Sequence, residues 1–286
     1  MTKPYLTEQN IRYFIKTALS EDIGDGDHSS LGSIPADQVS EAKLIIKDQG
    51  IIAGLTLAER IFHYVDKNIK IEFFKKDGDF VNNGDIGFIV KGNAQAILSA
   101  ERLVLNCMQR MSAIATYTNS ITRLIKGTKA RLLDTRKTTP NFRLPEKWAV
   151  AIGGGVNHRF GLYDMVMLKD NHVDYAGGIE NAILSTVEYL KKNQLDLKIE
   201  VEVRNLRELQ QVIDTGHVYR VLLDNMLPSD LREAVKMVSG RMQTEASGGI
   251  TELNIGDIAE TGVDFISVGA LTHSYKSLDI SLKAIR

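Results

Sequence analysis

The sequence holds a single cysteine, no excess of charge of either sign and no apolar run long enough to cross a bilayer. Each shortage removes a class of protein. Cys107 cannot close an internal disulfide, and its apolar setting in "LVLNCMQRM" reads as a buried structural thiol rather than a nucleophile. With 35 Lys plus Arg against 36 Asp plus Glu, a formal net charge of -1, the chain lacks the basic face that binding along a phosphate backbone requires, so no nucleic-acid partner is expected. A membrane span needs roughly 20 apolar residues and none occurs. The opening "MTKPYLTEQNIRYFIKTALSEDIGDGD" has neither an apolar signal core nor a cleavage site, so the expected location is cytoplasmic, with no membrane partner.

What is present suffices for one large domain or two small ones: 286 residues, 43% hydrophobic and 25% charged. Two rhythms divide the chain near residue 115. In the first part, helical spacing runs through "TEQNIRYFIKTALSEDI", with Thr7 as the start, and strand-like runs follow in "AKLIIKDQGIIAG" and "IGFIVKG". "KKDGDFVNNGDIGFIVKG" reads as a hairpin turning at Asn83-Gly84. Lipoyl and biotinyl carrier domains use similar hairpins, but no modifiable lysine sits at a symmetric turn. "LSAERLVLNCMQRMSAIATYTNSITRLI", residues 98–125, reads as a long buried helix with room for a break.

From about residue 130 a strand, a polar tip and a helix recur: "ARLLDTRK", "DMVMLKDNH", "LKIEVEV", "RVLLDN", "MQTEASGG" and "DFISVGA", with helical runs between most of them. Such alternation predicts parallel strands with helical crossovers. Glu202 to Asp224 spans 22 residues, Asp224 to Ser247 spans 23, and Ser247 to Gly269 spans 22, a period suited to one βα unit. Residues at the ends of barrel strands are where such folds place chemistry. A doubly wound sheet also binds at strand ends, and the regular period favours the barrel over it. Six strand candidates are fewer than the eight of a complete barrel.

The polar tips carry the chemistry. Asp134, Arg136 and Lys137 follow the first run; Lys169, Asp170, Asn171 and His172 the second; Glu202, Asp224, Asn225, Ser247, Gly248 and Gly249 the next three. Arg136 is a planar fork suited to a carboxylate or phosphate, Lys137 a compact point charge, and Arg159 a second fork beside His158. Two forks imply a ligand with more than one anionic group. Glu202 and Asp224 would repel a polyanion unless they held a metal or bound hydroxyls, which Mg2+ with a phosphorylated ribose satisfies. The glycines of "EASGG" and "SVGA" suit a close approach of phosphate to backbone amides. "GGGVNHR" matches neither a P-loop nor a dinucleotide fingerprint, and Gly153 to Gly155 read as a turn letting the chain pass close beneath His158 and Arg159. A zinc site from His158 and His172 lacks a close-spaced ligand pair. A non-catalytic barrel binding small anions remains the alternative from a different class.

Through "AERLVLNCMQRMSAIAT", "LDTRKTTP", "GGGVNHRFGLYDMVMLKDNH", "EVEV", "LLDN", "EASGGI" and "ISVGALTHS", in that order, the chain resembles the quinolinate phosphoribosyltransferase family. The resemblance implies an N-terminal open-faced α/β sandwich over residues 1–115 and an incomplete TIM-like α/β barrel over 116–270, with a tail, 271–286, packing back on the sandwich. It implies a Mg2+-using homodimer, or a multiple of one, that transfers phosphoribosyl from phosphoribosyl pyrophosphate to quinolinate with decarboxylation. Arg102 would reach into the partner's site, while Arg136, His158 and Arg159 would line the pyridine dicarboxylate pocket. Lys137, Lys169, Glu202 and Asp224 would face the donor and its metal. Ser247, Gly248 and Gly249, with Val268, Gly269 and Ala270, match the family's phosphate-side loops. Asn141 stands where relatives commonly have Gly, and "GDGDHSS" departs from the usual Thr-Ser ending of its motif. Nicotinate phosphoribosyltransferases and ModD-like proteins share the general pattern, but the intact "NHR" and "KDNH" favour the quinolinate enzyme.

Overall fold

In the computed structural model, which describes residues 4–285, the first helix begins where the sequence supplies a cap. Thr7 Oγ1 accepts the amide of Asn10, and α1 (Glu8–Ile23) buries Ile11, Phe14, Ile15 and Leu19 along one stripe. There follow α2 (His28–Ser33), β1 (Val39–Ile46), β2 (Gly50–Ile51), α3 (Leu55–Val65), β3 (Lys70–Phe73), β4 (Phe80–Val81), β5 (Ile86–Asn93) and α4 (Ala94–Leu124). Beyond them come β6 (Arg131–Leu133), α5 (Arg143–Ile152), β7 (Val166–Leu168), α6 (Asp170–Tyr175), α7 (Ile179–Lys192), β8 (Ile199–Val203) and α8 (Leu206–Thr215). The chain ends with β9 (Arg220–Asp224), α9 (Pro228–Val238), β10 (Gln243–Ser247), α10 (Ile255–Ala259), β11 (Phe265–Ser267), α11 (Ala270–His273) and β12 (Ile280–Ala284).

One compact unit gathers the residues up to Asn119, Lys137–Gly154, and the residues from Ala270 onward. Its four-stranded antiparallel sheet has the order β12-β1-β5-β3. Along β1 the buried positions alternate as Ala42, Leu44 and Ile46, and Phe88 and Val90 do the same on β5, so one face makes the core and the other is open. α4 is unbroken over 31 residues and buries Cys107, Met108, Met111 and Ile114 completely. Burial drives the Cys107 thiol pKa upward, as expected of a structural thiol.

Asn83-Gly84 does form a turn, with Gly84 at φ +91° and the Asp85 amide donating to Asn82 O. The flanking strands do not pair with each other: β4 bonds to β2, because both edges of β5 are already taken by β1 and β3. Gly153 answers to a different need from the one its sequence setting suggests. A Cβ there would lie 2.5 Å from Ala115 O and 2.7 Å from Thr118 Cβ, so the glycine lets the chain press against α4. Residues 137–154 cluster with this unit, whereas the strand–helix alternation groups them with the barrel. An edge contact between Phe14 and Phe142 and the Arg110–Glu146 ion pair hold them there.

The second unit, Ser120–Arg136 with Gly155–Gly269, is built on six parallel strands in the order β6-β11-β10-β9-β8-β7. Apart from β6, which closes the far edge, every strand neighbours the next in sequence. That is the winding of a barrel left open between β6 and β7, with none of the order reversal of a doubly wound sheet. Val201, Val203, Val221, Leu223, Ala246 and Ile266 occupy one parity of the strands and are buried. The opposite parity holds Glu200 and Glu202, Arg220 and Asp224, Gln243, Glu245 and Ser247, interrupted by Leu222 and Phe265, so this face is mostly polar. The backbone of 156–158 runs beside the free edge of β6: Val156 N donates to Leu132 O, and Asp134 N donates to Val156 O.

Candidate functional site

The C-terminal ends of the six parallel strands gather most of the polar residues singled out above. Lys169 ends β7 and caps α6, where its amide donates to His172 Nδ1. Its ammonium lies 3.5 Å from Glu202 Oε2 on the neighbouring strand. Partial burial raises the Glu202 pKa; Lys169 opposes the rise, and the negative charges of Asp224 and Asp170 add to it. Glu202 and Asp224 have the same parity, since Glu202 is in register with Leu222, two residues before Asp224. Asp224 is in register with Ser247 and accepts from Asn225 Nδ2. Gly248, at φ +89°, covers Asn225 so closely that a Cβ would fall 2.3 Å from Asn225 Oδ1. Val268 is buried and its amide donates to Leu133 O, so that N–H is committed to the sheet.

The second cationic group is anchored from β6. Asp134, fully buried, accepts from the His158 amide at 2.8 Å and from Asn157 Nδ2 at 2.7 Å, which fixes the backbone ahead of Arg159. Arg159 donates through Nη1 to Met165 O and is half-buried. Desolvation lowers its pKa, and the nearby Arg136 guanidinium lowers it further, so the two forks stand close together with like charge. Two guanidinium groups near each other at a partly desolvated strand end have the chemistry to pair with two anionic groups of one ligand.

Beneath them lies a cluster that the reading of strand tips alone does not reach. His158 Nε2 contacts Glu200 Oε2 at 2.8 Å and Glu245 Oε2 at 3.5 Å, without hydrogen-bond alignment to either. Arg220 Nη1 donates to Glu245 Oε2 at 2.9 Å, and its Nε and Nη2 donate to Gln243. Burial raises the Glu200 pKa. It also pushes that of Glu245 up to about 7, the neighbouring Glu200 charge adding to the rise. Period-two alternation could have found both residues, for Glu200 shares its face with Glu202 in "EVEV" and Glu245 with Ser247 in "EAS". His158, Glu200 and Glu245 are the one group of metal-ligating side chains close enough to share an ion among the described residues, and His172 is not a member.

In the other unit, Lys137 is exposed and lines a cavity of about 340 Å³ with Arg110, Thr138, Thr139, Thr272, His273 and Tyr275. Arg110 sits over the Tyr275 ring at 4.2 Å, donates to Thr139 Oγ1 and pairs at 2.5 Å with the fully buried Glu146. The sequence reading passed over this hydroxyl-rich pocket, although Thr138 and Thr139 directly follow Lys137. Arg102, on α4, is exposed, and its side chain makes no hydrogen bond or ion pair among the described residues. Ala270 begins α11.

Comparison with known proteins covers nearly the whole chain. The model of the quinolinate phosphoribosyl transferase C-terminal domain matches residues 114–283, and that of the N-terminal domain matches residues 13–112. The chain is 47% identical to the chloroplastic nicotinate-nucleotide pyrophosphorylase [carboxylating] of Arabidopsis thaliana, over 96% of this chain and 82% of that one. Identity is 42% to the probable enzyme of the same name from Bacillus subtilis, over 92% and 89% of the two chains. The solved nicotinate-nucleotide pyrophosphorylase of Francisella tularensis superposes with a TM-score of 0.88 at 40% identity, covering 98% of each chain.

Proposed function

The chain belongs to the quinolinate phosphoribosyl transferase family, and from that premise we propose that it is a decarboxylating phosphoribosyltransferase of NAD biosynthesis. It takes quinolinate and phosphoribosyl pyrophosphate to nicotinate mononucleotide, pyrophosphate and carbon dioxide. The observation that carries the reading is the presence, at the C-terminal end of one parallel sheet, of two cationic forks, Arg136 and Arg159, together with Lys169, Glu202 and Asp224. A dicarboxylate and a sugar diphosphate are the pair of ligands that needs both sets.

Arg136 and Arg159 hold the two carboxylates of the pyridine, and the His158 backbone fixes where Arg159 leaves the chain. Held in place, the ring nitrogen attacks C1 of the ribose as pyrophosphate departs. Lys169 places a positive charge where negative charge develops on the leaving group, and Lys137 supplies an exposed ammonium for the same donor. Once ribosylated, the cationic ring nitrogen stabilises the electron pair left on the adjacent carbon when its carboxylate departs as carbon dioxide, and that carbon then takes up a proton from water to give nicotinate mononucleotide. No general base is required for that step.

Glu202 and Asp224 suit Mg2+, being oxygen donors of like parity at accessible strand ends, near enough that the charge of one is felt by the other. When bound, Mg2+ supplies charge neutralisation to the diphosphate. Exposed and unpaired, Arg102 fits a homodimer in which it completes the partner's dicarboxylate pocket. Among the described residues no helix is long and apolar enough to cross a membrane. The cytoplasm is our proposed location, supported by the buried, unpaired Cys107.

Incubation with quinolinate, phosphoribosyl pyrophosphate and Mg2+ should yield nicotinate mononucleotide and carbon dioxide. Folded protein that forms neither product refutes the assignment. Preference for nicotinate over quinolinate in the same assay would move the chain to the monocarboxylate enzymes.

A further inference from the structure

The strand-end chemistry leaves one buried group unused: Glu200, fully buried two residues before Glu202, with a carboxylate oxygen 2.8 Å from His158 Nε2. The opposite ring nitrogen of His158 is also engaged, for the Arg159 amide donates to Nδ1 at 2.7 Å. An atom that accepts an N–H carries no proton, so the ring proton sits on Nε2, the nitrogen beside the buried carboxyls. The imidazole is thus a spacer between a buried acidic pair and the backbone of Arg159, only 7% of its side chain being exposed. We infer that Glu200 is a positioning residue, which holds the His158 proton on Nε2 so that Nδ1 can receive the Arg159 amide and set the direction in which the Arg159 fork leaves the chain. This rests on the assignment of Arg159 to the dicarboxylate.

Three features carry the inference beyond one contact. Glu200 also lies beside Glu245 and feels the Arg220 and Arg159 charges, but the ring nitrogen it meets, at 2.8 Å, is His158 Nε2. Its charge is felt at Arg159, where it favours the cationic form against desolvation and against Arg136. Glu245, the other carboxyl near the ring, is committed to Arg220 and stands 0.7 Å farther from Nε2 (3.5 Å against 2.8 Å). The two acids are therefore not equivalent, and Glu200 is the nearer to Nε2, although neither is aligned with it as a hydrogen bond.

Glu200→Gln replaces an acceptor with an amide that can also donate, at nearly constant volume. Nitrogen-15 spectra of histidine-labelled protein, with the His158 signals assigned by difference from His158→Gln, should show Nε2 protonated and Nδ1 bare in the wild type. In Glu200→Gln the proton should move partly or wholly to Nδ1. KM for quinolinate should then rise on the order of tenfold, while KM for phosphoribosyl pyrophosphate changes less than about twofold. Glu245→Gln should leave the His158 signals in place. A wild-type ring with its proton on Nδ1 overturns the inference even if the variant does not fold. So does a folded Glu200→Gln with unchanged nitrogen signals and unchanged KM for quinolinate. Wild-type protein that turns over no quinolinate refutes the proposed reaction, and the nitrogen spectra then still decide whether Glu200 sets the tautomer.

Discussion

Glu245→Gln should make the barrel less sensitive to alkaline pH. The Glu245 side chain is buried on the polar face of β10, with Glu200, His158, Arg220 and Gln243 as its charged or polar neighbours. Burial and the Glu200 charge raise its pKa from the ordinary 4.5 to about 7, against the pull of His158 and Arg220. In that interval the folded chain holds a proton that the unfolded chain has released, so unfolding free energy falls as pH rises. The stabilisation is complete below pH 4.5 and is lost as pH passes through about 7. At about 1.4 kcal/mol per pH unit, the interval corresponds to roughly 3 kcal/mol. The glutamine variant keeps an acceptor for Arg220 and a donor toward Glu200 but has no proton to lose. Thermal unfolding followed by far-ultraviolet circular dichroism, from pH 5 to pH 8, should show wild type losing about 6–12 °C in Tm relative to the variant, taking about 2–4 °C per kcal/mol for a chain of this size. Parallel pH profiles for the two proteins would mean that Glu245 is ionised throughout and that burial does not govern it.

Arg136→Ala should weaken quinolinate binding by roughly 2 to 5 kcal/mol, because a carboxylate is left without its fork, whereas Lys137→Ala should act chiefly on the donor and on turnover. Calorimetric titration with each substrate separates the two, and small, equal effects from both changes would mean that "TRK" is a solvated run. Arg110→Ala should destabilise its unit by about 3 to 5 kcal/mol, since Glu146 would remain buried without its partner, and adding Glu146→Gln should recover part of the loss. Denaturant titration measures both, and equal stabilities of Arg110→Ala and wild type would refute the pairing argument. Mixing Arg102→Ala with Arg136→Ala protein under subunit exchange should restore roughly a quarter of wild-type activity, as half the dimers are mixed and half their sites intact. No recovery despite confirmed exchange would place Arg102 outside the partner's site.

The elements of the barrel were legible because each strand ends at a polar tip and the tips recur at nearly one interval. Glu202, Asp224 and Ser247 close β8, β9 and β10, and the winding order then separates a barrel from a doubly wound sheet. The Asn83-Gly84 turn was legible too, but its pairing was not. A turn dipeptide specifies how the chain reverses, whereas the partner of each strand depends on which edges are free, and β1 and β3 had taken those of β5. Likewise Gly153 reads as a glycine from sequence, but the reason for it, the carbonyl of Ala115, lies 38 residues away in the chain.

Asn141 shows how a departure from the family pattern can leave the physics intact. It stands where the resemblance to the family leads one to expect glycine, and the structure places it at φ +61°, in the left-handed region. Glycine enters that region freely, and asparagine tolerates it better than most residues because its short amide can bond to nearby backbone. The backbone demand is thus met by the second-best residue, and the segment from Lys137 to Arg143 keeps its path into α5. The same reasoning separates the two kinds of site residue. Lys169, Glu202 and Asp224 are exposed to partly exposed at strand ends, where side-chain type states the chemistry directly, so composition at the tips reveals them. Glu200 and Glu245 act from inside, and a carboxyl there has meaning only through what faces it across the sheet: His158 for one and Arg220 for the other. Sequence carries their parity but not their partners, and it is the partners that make a buried acid a positioning group rather than an unpaired charge.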